Sequence, residues 1–421
     1  MSLQKRDQKH IWHPLTQHKN HPTALPIVKA NGAELFDEQG KVYIDGISSW
    51  YTAVYGHCNP TILAAAQRQM QQLDQIIFSG FTHEPAVSLS EKLIPILPDN
   101  QNKLFFSDNG STSTEIGIKM ALQYHFNLGN KRNVILAFEE AFHGDTFGAM
   151  SASGLSVYNG PFEEHFIQVV RIPVPNKDNV IQVENKLKAL IGEYQIAGFI
   201  FEPLVQGAAG MKMYEAEYLD RLLQICKDEQ IICIADEVMT GFGKTGTLFA
   251  SDQLTVKPDV ICMSKALTAG FVPMAVTSCA QFIYEAFLST DNGKGLFHAH
   301  TYTANPIACA VANAGIDLLL SEQIQQNRLR IHKQHIAFAE KIQQHPKVEN
   351  VRVKGVILAF ELNVQMERYG NLRDQLYQHF MDEGVYLRPL GNTIYCLPPY
   401  VSSIEQIAQV HNAMESVLDQ F

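Results

Sequence analysis

"IICIADEVMTGFGKTGTLFASDQLTVKPDVICMSKALTAG", residues 231–270, contains two short apolar runs that each stop at polar residues. Residues 231–235 end at Asp236, and residues 260–263 end at Ser264 and Lys265. Apolar runs of this length, rich in β-branched side chains, suit strands buried on both faces of a sheet. The polar residues at their ends are the question. A carboxylate or a lysine head is costly in a dry interior unless it meets a partner or is used covalently.

The same rhythm extends in both directions. Between about residues 100 and 280 the strand candidates are "KLFFS", "NVILAF", "AGFIFEPL", "IICIAD", "DVICMS" and "MAVTSCA". Helical candidates such as "STSTEIGIKMALQYHFNLG", opened by Ser and Thr caps and closed near Gly129, and "YLDRLLQICKDEQ" lie between them. Strands alternating with helices predict an α/β fold with a mainly parallel, doubly wound sheet. "NPIACAVANAGIDLLL" reads as a buried helix ending near residue 320, after which the chain turns polar and helical. The strand candidates "VRVKGVILAFEL" and "NTIYCLPPY" then predict a smaller α+β domain. The expected division is 1–50, an N-terminal segment packing with the small domain; 51–320, the large domain; and 321–421, the small domain.

A length of 421 residues leaves room for an enclosed site, and 46% hydrophobic with 18% charged residues is ordinary for a packed globular chain. A formal charge of −10 argues against a surface built to neutralise nucleic-acid phosphates. No apolar run approaches the roughly 18–20 residues of a membrane helix. The opening "MSLQKRDQKHIWHP" has no apolar core with a cleavage site, so a cytoplasmic location is expected. The seven cysteines are scattered, mostly in apolar runs, as reduced thiols would be. His298 and His300 have metal-like spacing, but no motif places a third ligand, so no metal is expected.

In a doubly wound sheet the carboxyl ends of the strands form the ligand crevice. "FFSDNGSTSTE" places Gly110 and Ser111 where a strand gives way to a helix, whose free N–H groups and dipole suit a phosphate. By itself that feature is more often a plain capped helix start. "TGFGKTG" resembles a nucleotide P-loop, but the position of its first glycine holds Val238. "AFHGDTFG" sets the aromatic Phe142 beside His143. A phosphate cradle, a buried anion at Asp236, a strand-end amine at Lys265 and an aromatic face together match one ligand. Pyridoxal 5'-phosphate offers a phosphate, a pyridinium nitrogen, an aldehyde and a ring face to those four.

The motifs "ADEVMTGFGKTG", "PDVICMSKALTAG", "FEPLVQGAAGM" and "FHGDTFGAMS" resemble those of the class III (omega) aminotransferases of PLP fold type I. The likeness runs from "IWHPLTQ" through "DGISSWYTAVYGH" to "LRPLGNTIYCLPPY", nearly the whole chain. The resemblance implies that Lys265 bonds the cofactor aldehyde and that Asp236 pairs with the pyridinium nitrogen. It further implies that Gly110 and Ser111 hold the phosphate, and that Phe142, beside His143, stacks on the ring. Thr301 is similar to a threonine that reaches the phosphate of the other subunit, which implies a homodimer with shared sites. Trp50, Tyr51 and Tyr395 would line the substrate pocket. Asp145 would lie near the donor's amino group, and Arg388 would take a substrate carboxylate through its two-pronged guanidinium.

The implied reaction is ping-pong transamination of 8-amino-7-oxononanoate to 7,8-diaminononanoate in biotin biosynthesis. S-adenosylmethionine, lysine or another amine is the donor; another omega-aminotransferase activity on diamines or omega-amino acids is the alternative. The chain departs from the family pattern at Leu15 and Phe142, where tyrosines are usual, and at Lys244, where an arginine is usual. Ala208 and Ala209 stand where glutamate-using relatives often place a gating glutamate.

Overall fold

A computed structural model of the chain describes residues 2–21, 23–156, 159–364 and 371–420. At its centre is a seven-stranded sheet built from β1 (Gln101–Ser107), β2 (Val134–Phe138), β3 (Val169–Ile172), β4 (Ile196–Phe201), β5 (Ile232–Asp236), β6 (Val260–Met263) and β7 (Ala275–Ala280). The spatial order is β1-β7-β6-β5-β4-β2-β3. β7 runs antiparallel to both neighbours, and the other adjacent pairs are parallel. The connection from β6 to β7 carries only a short 3-10 turn, Lys265–Thr268, and no crossover helix, which suits the antiparallel return.

Every residue of β4, β5 and β6 is buried, as the uninterrupted apolar runs predict for strands covered on both faces. Each Val, Ile or Phe so buried contributes about 1.5–3 kcal/mol relative to exposure. Helix Gly110–Asn127 lies directly on this centre. At Gly117 a Cβ would come within 3.0 Å of Cys262 Sγ and 3.1 Å of Ile234 Cγ2, so the absent side chain sets how closely the helix packs. The expectation of Ser and Thr caps on that helix needs correction. Asn109 is the cap: it accepts from the Thr112 N–H, while Thr112 returns the contact to the Asn109 N–H.

The described ends of the chain fold together. Strands Ile27–Asn31, Glu34–Asp37 and Val42–Asp45 join Val385–Tyr386 in one sheet, the last strand parallel to Val42–Asp45. Val348–Lys354, Ile357–Leu362 and Thr393–Cys396 form a second, antiparallel sheet. The run "VRVKGVILAFEL" is therefore two strands, parted at Gly355, whose φ of +59° reverses the chain. All seven cysteines are free, and Cys58 alone among them is exposed. Among the described residues no single helix is long and apolar enough to cross a membrane.

Helices Glu322–Ile342 and Ile404–Gln420 meet through a buried histidine pair, His335 Nδ1 to His411 Nε2 at 2.9 Å, with Phe338 stacked on His411 at 4.3 Å. Burial pulls His411 down to about 4 and His335 well below its ordinary value. The unfolded chain therefore binds protons that the folded chain refuses. The pair's contribution is complete above the unfolded histidine value near 6.5 and is lost as pH falls towards about 4. We expect the unfolding midpoint to drop by roughly 2–4 °C between pH 7 and pH 5, and a His411→Gln variant to show a flatter profile by calorimetry.

Candidate active site

The parallel register of β5 and β6 pairs Asp236 with Cys262, so Lys265 leaves the neighbouring strand only three residues beyond that rung. Asp236 is 4% exposed and fully engaged. Its Oδ2 accepts from His143 Nδ1 at 2.8 Å and its Oδ1 from the Val238 N–H at 3.1 Å. A carboxylate can only accept, so the histidine proton sits on Nδ1, which leaves His143 Nε2 buried and without a partner among the described residues.

Lys265 has a left-handed backbone, φ +51°, a conformation uncommon outside glycine and typical of functional positions. Among the described residues its amine has no ion pair and no hydrogen bond; it lies 5.3 Å from the Tyr51 ring centroid. Burial holds the amine below the ordinary lysine value, opposed by the charges of Asp236 and Glu202. A partly unprotonated amine is what nucleophilic attack on a carbonyl requires.

Glu202 sits behind this pair at 4% exposure. It accepts from the Phe142 N–H and from the Gly207 N–H, each at 3.1 Å. Burial pushes its carboxyl up to about 7; His143 opposes that shift and Asp236 adds to it. Its contacts place it as the support of the Phe142 main chain, while the Phe142 ring itself is 42% exposed and free to lie on a ligand.

At the start of helix Gly110–Asn127, the N–H groups of Gly110 and Ser111 find no acceptor among the described residues. A Cβ at Gly110 would collide with Val238 Cγ1 at 2.6 Å, so glycine is required where the helix start meets the end of β5. Ser111 Oγ is 2.7 Å from Thr146 Oγ1 and accepts from the Thr146 N–H at 3.0 Å. Free first-turn N–H groups, an engaged carboxylate next to an orphaned histidine nitrogen, and an unpaired amine together fit pyridoxal phosphate.

A second wall comes from the two terminal sheets. Ser48, Ser49, Trp50 and Tyr51 have φ values of 50°, 45°, 68° and 73°, so four consecutive non-glycine residues form a left-handed turn. That conformation costs about 1–2 kcal/mol per residue and must be held by its surroundings. The turn aims Tyr51 inward, its hydroxyl donating to the Tyr395 hydroxyl at 3.0 Å, and leaves Trp50 42% exposed. The Arg388 guanidinium lies 5.0 Å from the Trp50 ring centroid, and no carboxylate among the described residues pairs with it.

The remaining sequence candidates make no hydrogen bond or ion pair with these groups among the described residues. Asp145 and Thr301 are exposed, and Thr301 contributes only its carbonyl, to Gln75, at 2.9 Å. Leu15 is 60% exposed. "TGFGKTG" forms consecutive turns and starts no helix, which removes the P-loop reading. Its Lys244 is wholly buried and donates to the Gly241 carbonyl at 2.9 Å. Burial, helped by Lys265, pulls that amine down to about 7, with Glu237 opposing. Sequence reasoning passed over Asp45, Ser49 and His57, which form a hydrogen-bonded group beneath the Trp50 turn. The available signal was that "DGISSWYTAVYGH" begins with one acid and ends with the histidine.

Comparison with known proteins follows this geometry. The aminotransferase class-III family profile matches residues 15–418. The adenosylmethionine-8-amino-7-oxononanoate aminotransferase of Synechococcus elongatus is 40% identical over 98% of this chain and 99% of its own. That of Helicobacter pylori is 33% identical over 100% and 98%. Among solved structures, the enzyme of the same name from Methanocaldococcus jannaschii superposes with a TM-score of 0.93 at 30% identity, covering 99% of this chain and 98% of that one. A PLP-bound amine transaminase from an uncultivated Pseudomonas species superposes with a TM-score of 0.92 at 27% identity, covering 97% and 98%. The chain therefore belongs to the class-III aminotransferases, PLP-dependent enzymes of fold type I.

Proposed function

We propose that this enzyme transaminates 8-amino-7-oxononanoate to 7,8-diaminononanoate in biotin biosynthesis, with S-adenosylmethionine as amino donor. The names of its relatives supply the substrate pair. The observation that carries the reading is Arg388, an unpaired guanidinium beside Trp50 at the mouth of the site, suited to a carboxylate at the end of an apolar chain. Trp50, Tyr51 and Tyr395 would flank that chain, and Asp145 would meet the cationic donor.

When bound, the cofactor supplies an electron sink for the carbanion formed on the substrate carbon. The protein's share is positioning and proton transfer. Asp236, held by His143 and the Val238 N–H, keeps a proton on the pyridinium nitrogen. Gly110 and Ser111 anchor the phosphate from the helix start, and Phe142 covers the ring. Lys265, disfavoured in its charged form by burial, would hold the cofactor through its amine, and the same amine could take a proton from the donor carbon. Thr301 would complete the phosphate site of a partner protomer, which supports a homodimer as the working unit; a cytoplasmic location is part of the same proposal.

Arg388→Ala should raise KM for the keto acid roughly 10- to 100-fold, with little change for an amine lacking a carboxylate. Equal losses for both would remove Arg388 from this role. For the donor, the loaded protein is mixed separately with S-adenosylmethionine, lysine and a diamine, and loss of the cofactor's visible colour is followed. Bleaching by S-adenosylmethionine supports the proposal, and bleaching by lysine or the diamine alone would replace the donor.

A further inference from the structure

The left-handed turn Ser48–Tyr51 has a structural support that no catalytic role accounts for. The Asp45 side chain is wholly buried and accepts four hydrogen bonds. The donors to Oδ1 are the Ile47 N–H at 3.3 Å and the Ser49 N–H at 3.0 Å. Those to Oδ2 are Ser49 Oγ and His57 Nε2, both at 2.8 Å. His57 is itself fixed at both ends of its main chain, through Gly32 O at 2.7 Å and Gly32 N at 3.0 Å.

The arrangement does not resemble a hydrolytic triad. The Ser49 hydroxyl donates its hydrogen bond to the carboxylate, and the acid and the serine meet the same imidazole nitrogen, with Ser49 Oγ 3.4 Å away. Its geometry instead suits a brace. Asp45 pairs with Tyr386 across the parallel strands, and the Gly46 N–H donates to the Tyr386 carbonyl at 3.0 Å. The Gly46 carbonyl accepts from the Leu397 N–H at 2.8 Å, and Ser48 Oγ donates to the Leu397 carbonyl at 2.8 Å. Tyr386 lies two residues before Arg388, and Leu397 two residues after Tyr395. Gly46 and Ser48 thus tie the turn bearing Trp50 and Tyr51 to the segments bearing Arg388 and Tyr395, while the Asp45 carboxylate holds the start of that turn to His57.

We propose that Asp45 and His57 are positioning residues that hold the Ser48–Tyr51 turn left-handed, fix the Trp50 ring against Arg388, and thereby set which carboxylate-ended substrate the pocket accepts. The inference rests on the substrate side assigned above, but the brace can be tested without any substrate. The chain has two tryptophans, so in a Trp12→Phe background Trp50 emits alone. Adding His57→Ala should shift that emission to the red and increase its quenching by acrylamide. KM for the keto acid should rise about tenfold, with kcat changed less than about threefold. His57→Gln, which retains an N–H at similar reach, should restore both. Borohydride should still fix the cofactor at Lys265 in all three proteins. Unchanged Trp50 emission in His57→Ala, or a His57→Gln variant as impaired as the alanine, would overturn the brace. If the parent protein fails to aminate the keto acid, the substrate assignment fails, and the emission result still decides the brace.

Discussion

Lys265→Ala is expected to abolish transamination, lowering kcat by at least about 10³-fold, because the proposed mechanism gives this one side chain both the covalent bond to the cofactor and the proton transfer. The variant should still fold and still bind cofactor. Lys265 leaves the end of β6 with its amine unpaired, so truncation removes no hydrogen bond or ion pair on which the core depends. The proposed phosphate cradle at Gly110 and Ser111 and the Asp236–His143 pair are independent of it. Dialysed Lys265→Ala should therefore retain cofactor spectroscopically while turning over no donor. A variant with parental turnover would remove the assignment.

The second large effect is at Asp236. Asp236→Asn keeps the shape of the side chain but exchanges an acceptor oxygen for an amide N–H. The remaining oxygen can keep the Val238 N–H, but the amide N–H can be met by His143 Nδ1 only if that ring moves its proton to Nε2, so the substitution reverses the histidine tautomer in a site only 4% exposed. The charge proposed to keep the pyridinium nitrogen protonated is lost as well. We expect kcat to fall about 10²- to 10³-fold, with cofactor retained and the thermal midpoint lowered. A variant within threefold of the parent would show that the ring nitrogen does not depend on this acid.

The placement of both residues at the ends of buried strands was legible in the sequence, and the reason is local. Asp236 and Lys265 end apolar runs whose every residue is buried, and in such strands a polar terminus stands out against the pattern. β3 was not legible, because four edge residues with one buried carry almost no periodic signal. The N-terminal strands were missed for a similar reason: Ile27–Asn31 has four exposed residues of five. The turn at Ser48–Tyr51 was beyond local reasoning, since "SSWY" has no glycine or asparagine to announce positive φ. Its conformation comes from Asp45, from a histidine twelve residues further on, and from Leu397 at the far end of the chain. Thr301 shows another limit. Its expected role needs a second protomer, and within one chain it is simply exposed.

The central claim is that Lys265 carries the cofactor, and its most direct measurement is chemical. The loaded protein is reduced with borohydride, digested and mapped by mass spectrometry. The cofactor mass is expected on the peptide containing Lys265. Recovery of that peptide unlabelled, or label on the buried Lys244 instead, would contradict it.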